Sequence, residues 1–365
     1  MNACDDCLRR AHVISLVAPR IEGLLQGPSK RIAEVLALAS DDLLEALVPA
    51  ERLPEAVEAV ADFDPACGRA DAAAAGLEVL CRHADVYPDA LRSLRDGPPA
   101  IWARGSVALL GDLAVAIVGS RRASSYGLEV AEEMARALAT AGVTVISGMA
   151  LGIDAAAHRG ALRAAERRTV AVLGGGADVV YPRANRKLYE AIAESGVVIS
   201  EVPPGRRPFR WTFPARNRIM AALAGMTVVV EAADPSGSLI TADFAMEMNR
   251  AVGAVPGRVT SSTSAGSNRL LREGAAVIRH AGDVLDELFG AGAGDGWDQD
   301  HEPALTDAQA RVLVALEQGA NAGAIAAATA MSAAQVRAVL GQLEMLGVIK
   351  PTGIGSYEPR AGRHP

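Results

Sequence analysis

Apolar runs recur at short intervals along the middle of the chain. They occupy residues 113–119, 143–147, 169–173, 197–200 and 227–231, are rich in Val, Ile and Ala, and end at or beside Gly, Ser or Glu. Between several of them the apolar spacing changes to the period of an amphipathic helix, notably over 128–141, 153–165 and 186–194. Continuous rather than alternating apolar runs suit strands covered on both faces. The alternation predicts an α/β fold: a parallel sheet with helices on both sides, with ligand loops at the carboxyl ends of its strands. Residues 251–255, closed by Pro256-Gly257, predict a further strand, and 77–80 and 101–105 predict two short ones ahead of the main series.

The flanks read differently. Residues 10–64 show helical apolar spacing broken by Pro49 and Pro54, and 65–75 are Gly/Ala-rich and read as a linker. Residues 290–303, Gly/Asp-rich and poor in apolar side chains, read as a second linker. Beyond it come helices over 307–317, 322–328 and 333–346, then a hairpin at 347–358, which is the winged-helix pattern. Its third helix offers Gln335, Arg337 and Gln342 to a nucleic-acid groove. The predicted organisation is a helical segment at 1–70, the α/β domain at 71–290, a linker at 291–303 and a winged helix at 304–365.

Net charge is -7 over 365 residues, which excludes a globally basic nucleic-acid binder. The imbalance is regional. Residues 1–70 carry a balance of -5, residues 71–290 of +1 and residues 291–365 of -3. A polyanion site is therefore local and belongs to the middle region. There is no leader-like or membrane-length apolar run, so a soluble, cytoplasmic protein is expected. Of four cysteines, Cys4 and Cys7 form a CxxC, while Cys67 and Cys81 stand apart. No βαβ context follows Cys7, so free thiols are expected, with no metal and no cofactor.

The chemistry concentrates in the loops after the strands. The first is Gly119-Ser120-Arg121-Arg122, a strand-to-helix turn of the kind that presents backbone amides to an anion. The second, Ser147-Gly148 through Gly152, opens a helix carrying Asp154 and His158 one turn apart. Those two read as a hydrogen-bonded pair holding the helix start rather than as acid–base machinery. The third runs through Gly174-Gly175-Gly176 to Arg183, Asn185, Arg186 and Lys187. From Pro203 to Arg218 lie five arginines and no acid, interleaved with Phe209, Trp211 and Phe213. Arginine binds phosphate bidentately and aromatic faces stack unpaired bases; Trp211 and Phe213 read equally as loop anchors in the core, Phe213 above all. Ser236-Gly237-Ser238 and Thr241 form another anion-compatible helix start. So many such loops suit a polymer of phosphates better than one mononucleotide.

Val118-Gly119-Ser120-Arg121, Ser147-Gly148-Met149-Ala150-Leu151-Gly152-Ile153-Asp154, Gly174-Gly175-Gly176 to Tyr181-Pro182 and Asn185, Phe213-Pro214-Ala215-Arg216-Asn217-Arg218, Ser236-Gly237-Ser238-Leu239-Ile240-Thr241, Val255-Pro256-Gly257 and Gly266-Ser267-Asn268 occur in this order. Together they resemble the motifs of the DNA processing protein A (DprA/Smf) family over about 113–290. The resemblance implies an extended Rossmann-like domain flanked by a small SAM-like helical domain and a winged helix. It implies a non-catalytic protein that binds single-stranded DNA, dimerises through the central domain, protects incoming strands and loads RecA recombinase in natural transformation. The expected DNA-binding residues are Gly119, Ser120, Arg121, Arg122, Ser147, Gly148, Arg183, Asn185, Lys187, Arg216, Asn217, Arg218, Ser238 and Thr241. The alternative is a nucleotide-cleaving hydrolase of the lysine-decarboxylase-like group. Pro235-Ser236-Gly237-Ser238-Leu239-Ile240-Thr241 departs from the glycines of that group's motif.

Overall fold

The structure is a computed structural model and describes residues 3–24, 31–294, 305–345, 348–353 and 356–359. Residues 1–290 form one compact unit and 291–365 a second. Most of the second expected linker, 295–303, lies outside the described residues, as do Leu346 and Gly347.

A nine-stranded sheet organises the first unit. Its strands are β1 (Glu78–Cys81), β2 (Ala100–Gly105), β3 (Ala114–Val118), β4 (Thr144–Ser147), β5 (Thr169–Val172), β6 (Val197–Ser200), β7 (Met226–Val229), β8 (Ala251–Ala254) and β9 (Ala276–Val277). Their spatial order is β1-β2-β6-β5-β4-β3-β7-β8-β9. Strands β3 to β9 run parallel, while β2 pairs antiparallel with β6, and β1 antiparallel with β2. From β3 the chain winds outward through β4, β5 and β6, then returns to β3's other side with β7. The boundary between β3 and β7 is thus the switch point at which ligand crevices open in such sheets. In register, Ala116 faces Ile146 of β4 and Thr227 of β7.

Every residue of β3, β4, β5, β6 and β7 is buried, as continuous apolar strands require. Each large aliphatic side chain so buried contributes about 1.5–3 kcal/mol. Helices Ser125–Thr140 and Ile153–Arg163 follow β3 and β4, and Arg186–Ser195 precedes β6. The fold class read from the periodicity is the one observed.

The N-terminal segment folds as helices Asp5–Leu24, Arg31–Leu36, Ser40–Leu47, Leu53–Ala61 and Pro65–Ala74. The last corrects the expected first linker. Asp64 caps it by accepting from Ala66 N at 2.8 Å, Pro65 sits where its missing N–H costs nothing, and the alanines favour helix. Trp211 locks these helices to the sheet unit. Its indole donates to Ala18 O at 3.0 Å, and its ring packs among Val17, Ile21 and Leu43. Nearer the N-terminus, Leu8 and Ala11 pack with Val79 of β1 and Trp102 of β2. The same junction brings Cys81 and His83 to the Cys4–Cys7 pair, a connection the sequence did not show.

The second unit holds helices Asp307–Glu317, Ala322–Thr329 and Ala333–Met345 and the hairpin Ile349–Gly353/Ser356–Pro359, a winged helix. Thr306 and Gln309 close the first helix start reciprocally, and Val312, Ile325, Val336, Leu340 and Leu343 form the core. Two of its three expected groove readers are engaged internally. Gln335 accepts from Ser332 N at 2.8 Å, and Gln342 accepts from Gln309 at 3.2 Å. Arg337 is exposed. Among the described residues no single helix is long and apolar enough to cross a membrane.

Candidate nucleic-acid interface

The loop after β3 begins at Gly119, where a Cβ would lie 2.7 Å from Ile153 Cγ1 and 2.8 Å from Glu231 O. The Ile153 side chain and the Glu231 carbonyl approach too closely there for any side chain. Ser124 caps the following helix by accepting from Gly127 N at 3.1 Å. Directly before this helix start lies the carboxylate of Glu231, just past β7. It accepts from Ser124 N at 2.8 Å and Ser124 Oγ at 2.7 Å, and a Cβ at Gly127 would sit 2.5 Å from it. Glu231 O also accepts from Ser120 N at 2.6 Å. The positive end of the helix is thus satisfied by an internal carboxylate. The expectation that Ser120 offers its amide to phosphate is corrected accordingly.

The loop after β4 is similarly self-contained. Ser147 is buried and donates to Ile117 O at 2.6 Å, tying β4 to β3 instead of facing a ligand. Gly152 has φ +80° and stands against Ser120 O, where a Cβ would be 2.1 Å away. Asp154, in the first turn of its helix, reaches back to accept from Ala150 N of the preceding turn at 3.2 Å, with Arg216 Nη2 at 3.8 Å. Burial raises the Asp154 pKa despite that cation. His158 does not pair with Asp154, contrary to expectation. Its Nδ1 lies 2.8 Å from Thr169 Oγ1, and that hydroxyl donates to Val145 O at 2.9 Å, so Nδ1 carries the proton. Full burial, with Arg216 nearby, depresses the imidazole pKa to about 3. Met149 has φ +64°, and Asn185 holds that turn by donating to Met149 O at 2.8 Å and Ala150 O at 3.3 Å. Asn185 is therefore a clamp on the β4 loop.

The stretch 203–218 is not one loop. It divides into a loop and the helix Thr212–Leu223, whose Arg216 and Arg218 turn inward. Arg216 is buried and donates to Gly148 O and Val172 O, the ends of β4 and β5, and to Asn217 Oδ1 at 3.1 Å. Gly148 is required by this arrangement, because a Cβ there would lie 2.2 Å from Arg216 Nη2. Burial lowers the Arg216 pKa to about 10; Asp154 opposes the shift and Arg121 adds to it. Arg218 is 1% exposed. It donates to Glu201 at 2.7 and 2.8 Å, Asp96 Oδ2 at 2.7 Å, Asp96 O at 2.9 Å and Ala215 O at 2.8 Å. Burial by itself would depress this guanidinium, yet Glu201 and Asp96 hold its pKa above the usual arginine value. Asn217 donates to Gly237 O at 3.1 Å, anchoring the loop after β7. Ser238 Oγ is bonded to Ser236 Oγ at 2.8 Å, and Thr241 is buried. Both Arg216 and Arg218 were expected to meet phosphate; their acceptors are protein carbonyls and carboxylates.

What remains outward forms a different set. Arg121, Arg122, Arg183 and Lys187 are exposed, and no ion pair engages their side chains among the described residues. Arg121 lies over the Phe213 ring, 5.5 Å from its centroid, and Tyr181 lies 5.5 Å from the same ring, tilted by 44°. Phe213 is half-buried, with Gly174 beneath it, and Tyr181 is 48% exposed. Of the two aromatics read as core anchors, Trp211 is one, whereas Phe213, of which it was expected above all, reaches the surface. An open groove of 1380 Å³ adjoins, lined by Tyr181, Arg183, Arg186, Arg207 and Arg104 with Asp178 and Glu190. Arg186 is paired with Glu190 at 2.9 Å. Tyr181 and Glu231 have no place among the DNA-binding residues expected from the sequence. The signal for Glu231 was an acid directly after a buried strand, and for Tyr181 an aromatic in a Gly/Pro-rich turn.

Known proteins resemble both units of the chain. The family described as DNA recombination-mediator protein A matches residues 78–289, and the DprA winged helix domain matches 298–353. A protein of Mycobacterium tuberculosis carrying the DprA name is 43% identical over 264 residues. That match covers 69% of this chain and 66% of the relative, just under two thirds of its length. The X-ray structure of DNA processing protein A from Streptococcus pneumoniae superposes with a TM-score of 0.63 at 32% identity, covering 79% of this chain and 99% of that one. DNA processing protein A from Helicobacter pylori, solved for its single-stranded DNA binding mode, gives a TM-score of 0.52 at 31% identity, covering 57% of this chain and 98% of that one. The chain belongs to the DNA recombination-mediator protein A (DprA/Smf) family.

Proposed function

We propose that this protein binds single-stranded DNA without catalysing a reaction on it, across the carboxyl ends of β3, β4 and β5. The observation that carries the reading is the surface cluster of Arg121, Phe213 and Tyr181, with Arg122, Arg183 and Lys187 exposed in the segments that follow β3 and β5. It combines cations for phosphates with aromatic faces for unpaired bases, which a duplex does not expose. Glu231 occupies the helix start after β3, and Asp154 places a buried acid in the first turn of the helix after β4, which disfavours a mononucleotide phosphate at either place. Arg216, Arg218, Asn185 and Asn217 position the loops from below. Gly119 and Gly148 allow the close approaches this needs, and Ser147, Ser238 and Thr241 complete the packing.

The DNA bound is read with little sequence preference, since cations and aromatic faces outnumber base-edge readers here. Family membership supports the wider role: protection of incoming strands and loading of RecA recombinase in transformation, by a homodimer formed through the Rossmann-like domain. A fluorescent oligo-dT titrated against duplex of equal length tests the reading. Preference for the single strand is expected, together with no turnover of ribosyl nucleotides by the same preparation. Equal affinity for duplex, or robust nucleotide hydrolysis, overturns it.

A further inference from the structure

We propose that Cys4, Cys7, Cys81 and His83 form a structural zinc site joining the N-terminal helix to the edge of the sheet. The three Sγ atoms and the imidazole nitrogen all lie within 4.8 Å of one another. His83 Nδ1 stands 3.2 Å from Cys4 Sγ and 3.5 Å from Cys7 Sγ. A tetrahedral zinc with Zn–S of about 2.3 Å and Zn–N of about 2.0–2.1 Å sets neighbouring S and N atoms about 3.5 Å apart. The side chains are therefore already near the separations the ion imposes.

The placement is that of a closed structural site. Cys4 precedes the helix Asp5–Leu24 and Cys7 lies in its first turn, so the CxxC spacing turns both sulfurs to one side. Cys81 ends β1, and His83 follows in the turn beyond it. Cys81 Sγ accepts from Cys4 N at 3.5 Å, the kind of outer hydrogen bond that fixes a ligating sulfur. Cys7 and Cys81 are buried, and Leu8, Val79 and Trp102 pack around them. Three sulfurs and one imidazole fill four positions and leave none open for substrate, and soft ligands in this number select zinc over magnesium or calcium. The ligands join segments separated by more than seventy residues, so the ion clamps the N-terminal segment onto β1. Cys67 supplies an internal control. It is exposed, and its Sγ contacts Asp64 at 3.9 Å, outside the cluster.

The test is the metal content of the full chain, purified reduced and without added metal, by plasma mass spectrometry. About one zinc per chain is expected, retained in Cys67→Ser and lost in Cys4→Ser and Cys81→Ser. Because a serine variant can lose its fold with its metal, the intact chain is also exchanged with cobalt(II). Intense visible bands of a tetrahedral site and a near-ultraviolet thiolate-to-cobalt band are expected. Any of three results overturns the proposal: reduced chain free of zinc, a weak octahedral cobalt spectrum, or a disulfide between Cys4 and Cys7 in the freshly isolated protein.

Discussion

Replacing Arg218 with methionine separates the two roles open to the arginines of the Phe213–Arg218 motif. The guanidinium is 1% exposed and meets two carboxylates, Glu201 and Asp96, whose side chains are 12% and 10% exposed. Methionine keeps much of the volume and removes the charge. Two nearly buried carboxylates then face each other without a cation, a situation that costs about 3–5 kcal/mol. For a unit of this size, with a urea m-value of about 3 kcal/mol/M, the midpoint falls by about 1–1.7 M. Tryptophan fluorescence follows the transition, since Trp102 and Trp211 are both buried within the first compact unit. Adding Glu201→Gln and Asp96→Asn to Arg218→Met removes the orphaned charges and restores part of the loss. A midpoint unchanged within about 0.3 M, together with collapse of oligo-dT affinity, refutes the reasoning. That outcome identifies Arg218 as a phosphate ligand.

Three further outcomes follow from the same geometry. Gly148→Ala drives a Cβ into the Arg216 guanidinium, displacing it from Gly148 O and Val172 O, so urea unfolding shows a loss of about 2–4 kcal/mol; no loss contradicts the tight contact. His158 is depressed to about 3 in the fold, so the unfolded chain binds the proton first as pH falls below about 6.5. Stability contributed by the neutral ring then declines by about 1.4 kcal/mol per pH unit, or about 2 kcal/mol by pH 5, and His158→Gln lacks this slope; identical slopes in both proteins reject the buried neutral imidazole. Truncation after Gly290 leaves oligo-dT affinity within about twofold, whereas a tenfold loss moves the principal site to the winged helix.

The sheet was legible because buried parallel strands leave an unmistakable mark: five short apolar runs, each ended by a glycine, serine or acid. Strand order was not legible, since pairing of β2 with β6 and return of β7 beside β3 depend on contacts distant in sequence. The helix Pro65–Ala74 was hidden by composition, as alanine and glycine look like linker until Asp64 and Pro65 are seen as its start. At the interface, the loops were found but their side chains were sorted wrongly. Arginine reads as a surface cation, and nothing in the Arg216-Asn217-Arg218 triplet announces Asp96, Glu201 and the carbonyl ends of β4 and β5 as partners. That Trp211 is a deeper anchor than Phe213 was hidden for a related reason. The N-terminal helices that cover Trp211 arise almost two hundred residues earlier. The Cys4–His83 cluster was equally dispersed, one half at a helix start and the other at the end of β1 and in the turn after it.

The central claim is that the outward cations of the β3 and β5 loops, and not the buried arginines, meet the DNA backbone. Its most direct test is the salt dependence of oligo-dT affinity in the triple variant Arg121→Ala, Arg183→Ala, Lys187→Ala. Each lost phosphate contact removes about 0.7 from the log–log slope, so the slope becomes shallower by about 2 while the urea midpoint stays that of the parent protein. An unchanged affinity and slope in a normally folded variant contradicts the account.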